Sequence, residues 1–143
     1  MDLSSIYTEI IAQYSRSQEN RRHQAAPQIV LRGRNPSCGD DITLEMSLAG
    51  GMVKDVSFIG NGCAISQASA ALMAELVKGR SIQEAGELAD IFLGMIKREE
   101  PDGKNLSRLG EAACLQSVAN LPARVKCAGL AWHTLQEALQ KKA

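Results

Sequence analysis

The chain has 143 residues, 45% of them hydrophobic and 22% charged, which supplies one compact core and leaves no room for two full domains. Sixteen Lys and Arg balance sixteen Asp and Glu, and only 3% of residues are aromatic, so there is neither surplus cation to displace counterions from phosphates nor a set of rings for base stacking, and nucleic acid is excluded as a main partner. The opening Met1-Asp2-Leu3-Ser4-Ser5-Ile6-Tyr7 lacks a basic and apolar leader, and no run approaches the ~18 apolar residues of a membrane span, so a cytoplasmic protein with no membrane partner is expected.

Leu3, Ile6, Tyr7, Ile10, Ile11 and Tyr14 recur at three- and four-residue intervals and predict an amphipathic helix over residues 3–17. Residues 16–34 then carry Arg16, Arg21, Arg22, Arg32 and Arg34 against Glu19. This stretch reads as a solvated loop or as a docking patch for an acidic surface, with a strand over Ile29 to Leu31 inside it. Asp41 to Leu48 alternates polar and apolar residues, the signature of a half-buried strand. Gly50-Gly51 predicts a hairpin turn into an antiparallel strand from Val53 to Ile59.

After Gly60-Asn61-Gly62 an Ala-rich helix is expected from Ala64 to Lys78, closed at Gly79. Ser81 and Glu84 form a capping-box pair ahead of a helix to about residue 97. Glu99-Glu100-Pro101-Asp102-Gly103-Lys104 is a polar break. A short helix around Leu106 to Val118 follows, and Pro122 opens a closing helix to about Gln140.

Four cysteines in a reducing compartment point to metal binding or catalysis rather than to disulfides. Cys38 lies in Asn35-Pro36-Ser37-Cys38-Gly39-Asp40, a turn that would present its thiol and the Asp40 carboxylate from one exposed loop. Cys63 precedes the Ala-rich helix, whose N-terminal dipole favours thiolate. Cys127 points about 160° away from the Val125, Trp132 and Leu139 stripe of the closing helix, and Arg124 and Lys126 add positive charge that again favours thiolate. Three thiols and one carboxylate match a zinc ligand set, but their separations are not those of a zinc finger, so metal binding and three unrelated buried cysteines both stay open. Cys114, among small apolar residues, reads as a core thiol. His133 lies on another helix face from Cys127 and suits a surface or capping role, and His23 an exposed loop. No nucleophile–histidine pairing, P-loop or Rossmann glycine pattern is present.

Three segments in order carry a resemblance: Asn35 to Asp40; Gly60 to Ser66 with Ala68-Ser69-Ala70; and Pro122 to Ala128 with Leu130-Ala131-Trp132. Together they resemble the U-type iron–sulfur cluster assembly proteins (IscU/NifU-like), in the SufU branch, over nearly the whole chain. The resemblance implies an α+β fold, a small antiparallel sheet of about three strands with helices on one face, as a single domain over residues 1–143. It implies a zinc-dependent sulfurtransferase role beside a pyridoxal-phosphate cysteine desulfurase of the SufS type, with Cys38 taking the persulfide and Cys38, Asp40, Cys63 and Cys127 holding Zn²⁺. Downstream iron–sulfur assembly proteins would receive the sulfur. The IscU branch has a histidine just before its last cysteine where this chain has Lys126, which speaks against its alternative function, a scaffold holding iron or an iron–sulfur cluster. An adapter with a purely structural zinc is the third alternative.

Overall fold

The computed structural model describes residues 3–99 and 103–141, and side chains over 8–99 and 105–141. Three strands, β1 (Ile29–Asn35), β2 (Asp40–Ala49) and β3 (Met52–Asn61), form an antiparallel meander in the order β1-β2-β3. All three predicted strands exist, each longer than expected, and Ala49 pairs with Met52 across the Gly50-Gly51 turn. Because strand side chains alternate between faces, Ile42, Leu44 and Met46 point one way with their partners Val56 and Phe58, and all five are at most 1% exposed.

That apolar face is covered by α2 (Ala64–Val77), α3 (Ile82–Ile96) and α5 (Pro122–Gln140), while α1 (Leu3–Ser15) packs on α2. Ser81 caps α3 as expected, accepting the Glu84 N–H at 3.0 Å. Phe92 of α3 and Trp132 of α5 stack with ring centroids 4.2 Å apart at the centre of the helical layer. Of the predicted α1 stripe, Ile10, Ile11 and Tyr14 pack against the core, whereas the side chains of Leu3, Ile6 and Tyr7 lie outside the described residues. Glu100, Pro101 and Asp102 of the polar break lie outside them too. No described helix is long and apolar enough to cross a membrane.

Two expectations are corrected. Residues 106–118 do not form one α-helix: a short α4 (Gly103–Ser107) is followed by a 3-10 stretch, Gly110–Asn120. Gly110 adopts a left-handed φ of 56° between them, and Leu109, Ala112, Leu115 and Val118, all buried, recur every third residue, which suits three residues per turn rather than 3.6.

The basic segment is a solvated loop only in part: Arg16, Arg32 and Arg34 are exposed, but other residues of the stretch are tied to the sheet. Arg32 and Arg34 belong to β1, and Asn20 accepts the Phe58 N–H at 2.9 Å along the free edge of β3. Gln24 then lies over the polar face of the sheet, donating its backbone N–H to Glu45 Oε1 at 2.8 Å and its amide to Ser57 Oγ at 3.1 Å. Glu45 and Ser57 are consequently buried. His23 is exposed as expected, with Nδ1 2.6 Å from Glu45 Oε2.

Candidate metal centre

The strand register brings distant segments of the chain to one end of the sheet. Asn35 pairs with Asp40 and Asp41 with Asn61, so the β1–β2 turn, the first residue of β2 and the end of β3 are neighbours. The turn is shaped by Asn35, which accepts the Cys38 N–H at 3.1 Å on its carbonyl and the Ser37 hydroxyl at 2.8 Å on Oδ1. Packing of α5 against β1 and β2 then brings Cys127 to the same end.

Cys38 Sγ, a carboxylate oxygen of Asp40 and Cys127 Sγ all lie within 4.8 Å of one another. Cys38 is half-buried and its sulfur is 3.0 Å from that of Cys127. Asp40, expected on an exposed loop, is 1% exposed, because the turn ends one residue earlier and Asp40 already pairs in the sheet. Its Oδ1 accepts the Cys63 N–H at 2.9 Å. Its Oδ2 is buried and has no hydrogen-bond donor among the described residues.

Cys63 is the N-cap of α2, its sulfur accepting the Ser66 N–H at 3.4 Å, which is the helix-terminus position expected of it. It falls outside the trio, but its thiol still interacts with that of Cys127. Cys127 itself is fully buried although it stands apart from the hydrophobic cluster: it turns from the apolar stripe toward the other site residues rather than toward solvent. The expected bias to thiolate at Cys127 is corrected in the same way. Burial first, then hydrogen bonds with Cys38, Asp40 and Cys63, hold this thiol well above its ordinary range. A buried thiol surrounded by acidic neighbours resists ionising. The Arg124 guanidinium, held further toward its charged form by hydrogen bonding to Cys127 and by the nearby Cys63 and Cys38 sulfurs, is the positive charge that reaches them, and Lys126 is exposed.

Two glycines make the approach close. A β-carbon on Gly60, at φ 137°, would sit 2.0 Å from the Asp41 carbonyl, and one on Gly62 would sit 2.7 Å from Asp40 Oδ1, so any side chain there would push the Cys63 segment off β2. Cys114 is not part of the site. It is 2% exposed in the core, and burial pushes its thiol up to about 11. His133 is exposed on α5, in line with the surface role expected of it. Gln67, one turn beyond Cys63, was not singled out from the sequence. The available signal is a lone amide i+4 from a cysteine in an otherwise small and apolar helix.

The donor set suits a metal. Two soft sulfurs and one hard oxygen gathered within 4.8 Å are ligand types that Zn²⁺ accepts, and a buried carboxylate oxygen without a donor among the described residues is one that a cation would satisfy.

Comparison with known proteins agrees with the fold. A family model described as the NifU-like N-terminal domain matches residues 6–128. The chain is 38% identical over 141 residues to the iron–sulfur cluster assembly scaffold protein IscU of Streptococcus pyogenes serotype M1, covering 99% of this chain and 87% of that one. It is 37% identical to the zinc-dependent sulfurtransferase SufU of Bacillus subtilis, covering 99% and 94%. Among solved structures it is similar to one from Fervidobacterium islandicum, described as an iron–sulfur cluster assembly scaffold protein for the SUF system, with a TM-score of 0.88, 39% identity, and coverage of 94% of this chain and 97% of that one.

Proposed function

The chain belongs to the NifU-like N-terminal domain family, and from that membership we propose that it serves iron–sulfur cluster assembly as a zinc-dependent sulfur acceptor. A pyridoxal-phosphate cysteine desulfurase of the SufS type would give sulfane sulfur to Cys38, and downstream assembly proteins would receive it. Cys38, Asp40, Cys63 and Cys127 are the proposed zinc ligands, and residues 1–143 act as one domain in the cytoplasm, away from membranes.

The observation that carries this reading is the position of Cys38. Cys38 is half-buried on a β1–β2 turn whose Pro36, Ser37 and Gly39 are exposed, so a partner can reach it, yet its sulfur is 3.0 Å from that of Cys127. Sulfur transfer is thiol–disulfide chemistry. The Cys38 thiolate attacks the outer sulfur of the enzyme persulfide, a new S–S bond forms at Cys38, the enzyme's own S–S bond breaks, and its cysteine leaves as thiolate. Bound zinc supplies the charge that keeps the crowded thiols deprotonated. Arg124 adds a guanidinium beside the same sulfurs, and Lys126, lacking a lone pair, supplies no fifth ligand.

Relatives named as scaffolds favour a second reading, in which the same residues hold iron or a cluster. Desulfurase turnover with and without the protein separates the two. A sulfur acceptor raises turnover and loses that effect in Cys38→Ala, whereas unchanged turnover, with a coloured cluster retained on the protein, overturns the proposal in favour of the scaffold.

A further inference from the structure

Gln67 is 5% exposed, and its Nε2 has no hydrogen-bond partner among the described residues. Leaving such a donor unpaired is costly, so its surroundings matter. Its other end is taken: Arg21 donates to Gln67 Oε1 from the segment that edges β3. Arg21 is itself fixed, donating to the Ser15 carbonyl at 3.2 Å and lying 5.3 Å from the centroid of the Phe58 ring. A guanidinium offers only donors, so the amide oxygen must face Arg21 and the amide N–H groups must face away from it.

What they face is the metal centre. Gln67 Nε2, Asp40 Oδ1 and Ser66 Oγ all lie within 3.1 Å of the single point that a β-carbon on Gly62 would occupy. Of the two oxygens there, the Ser66 hydroxyl already donates to the Cys63 carbonyl, while Asp40 Oδ1 is a carboxylate oxygen, to which an amide hydrogen bond is charge-assisted.

We propose that Gln67 is a positioning residue for the metal centre: with its oxygen locked by Arg21, its unpaired amide N–H is the donor available to Asp40 Oδ1 beside the Cys63 backbone N–H, and it thereby keeps Asp40 Oδ2 as the oxygen that faces the metal. The proposal rests on the metal-centre reading above. It assigns Arg21, in a segment that looked solvated in the sequence, to the support of a ligand it does not touch. Outer partners of this kind orient ligating carboxylates, and losing one typically costs 10–100-fold in metal affinity.

Chelator competition for zinc tests this without reference to activity. Gln67→Met keeps the side chain's length and removes the donor, and it should hold zinc about 10–100-fold more weakly than wild type. Gln67→Leu, read in the same assay, covers the case in which Met disturbs packing. Arg21→Met frees the amide to turn over, so it should weaken zinc in the wild-type background and add nothing to Gln67→Met, the mark of a residue that acts through another. In the cobalt-loaded protein the d–d bands should move with Gln67→Met. The proposal is overturned if both Gln67 variants hold zinc as tightly as wild type, or if Arg21→Met costs the same factor in both backgrounds. Wild-type protein that binds no zinc would strike at the metal-centre reading instead.

Discussion

Cys38 and Cys127 are 89 positions apart in the chain, yet their sulfurs lie 3.0 Å from one another. Burial, and then the Cys38 sulfur beside it, hold the Cys127 thiol well above its ordinary range. The arrangement becomes favourable when a divalent ion joins it, because deprotonated sulfurs are then ligands rather than repelling charges.

The purified protein is therefore expected to carry about one zinc per chain, since three thiolates and a carboxylate close a tetrahedral shell. A ligand that binds the folded form and not the unfolded one stabilises it by mass action, so stripping the metal with a chelator should lower the melting temperature. Metal analysis of protein never exposed to chelator, with melting curves before and after stripping, checks both points. An unchanged melt after verified zinc removal counts against a stabilising site.

Sulfur acceptance should map to one cysteine. Cys38 is half-buried on an exposed turn and Cys114 is 2% exposed in the core, so of these two only Cys38 is open to a partner's persulfide. After incubation with desulfurase and cysteine, mass spectrometry should find the added sulfur on Cys38. Cys114→Ser should keep desulfurase stimulation and Cys38→Ala should abolish it. Persulfide found on Cys114 alone would reverse the assignment.

Much of this was legible in the sequence because the signals were local. The alternation from Asp41 to Leu48, the Gly50-Gly51 turn, the Ser81 cap and Pro122 each bias a few neighbouring residues, and the structure follows them. The misreadings were of tertiary origin. The stretch from Asn20 to Gln24 has no periodicity, but β3 has an edge to cover and Glu45 a carboxylate to satisfy, and that need is invisible along the chain. The burial of Asp40 likewise depends on strand register, and the high Cys127 thiol on neighbours that arrive from two other segments. Gln67 was missed because its meaning comes from Arg21, 46 positions away.

Cys114 makes a prediction in pH. Burial, with a smaller contribution from Glu111, raises its thiol to about 11, above the ~8.5 of an unfolded cysteine. The unfolded chain therefore releases this proton first, so stability is intact below about pH 8.5 and is lost as pH rises toward 11. Cys114→Ala should flatten the alkaline decline in urea midpoints between these limits. In the native protein at pH 8, Cys114 should also resist iodoacetamide until the chain is denatured.

The Trp132 indole depends on one hydroxyl. Ser69 Oγ accepts the Nε1–H at 3.0 Å and donates to the Ala128 carbonyl at 2.6 Å, with both side chains fully buried. Ser69→Ala strands the indole N–H and should cost about 1–3 kcal/mol. Urea denaturation followed by the fluorescence of this sole tryptophan measures the loss. A cost near zero would mean that water replaces the hydroxyl.

The carboxylate of Asp40 has two separable duties, and two substitutions tell them apart. Oδ1 ties β2 to the Cys63 backbone N–H, and Oδ2 has no donor among the described residues. Asp40→Asn retains an oxygen that can accept from Cys63 but replaces the other with an amide nitrogen, which is no zinc ligand. It should melt near wild type when metal-free and bind zinc at least about tenfold more weakly. Asp40→Ala removes both duties, so it should lose metal-free stability as well as zinc and accept sulfur poorly. Lys126→Ala is the control: its ammonium is exposed and cannot ligate, so zinc stoichiometry should not change even if sulfur transfer slows with the loss of charge near the thiolates. Zinc affinity and metal-free melting temperature, measured on the three variants, decide the matter. If Asp40→Asn binds zinc as tightly as wild type, the carboxylate is not a ligand and its work is confined to holding Cys63 against the sheet.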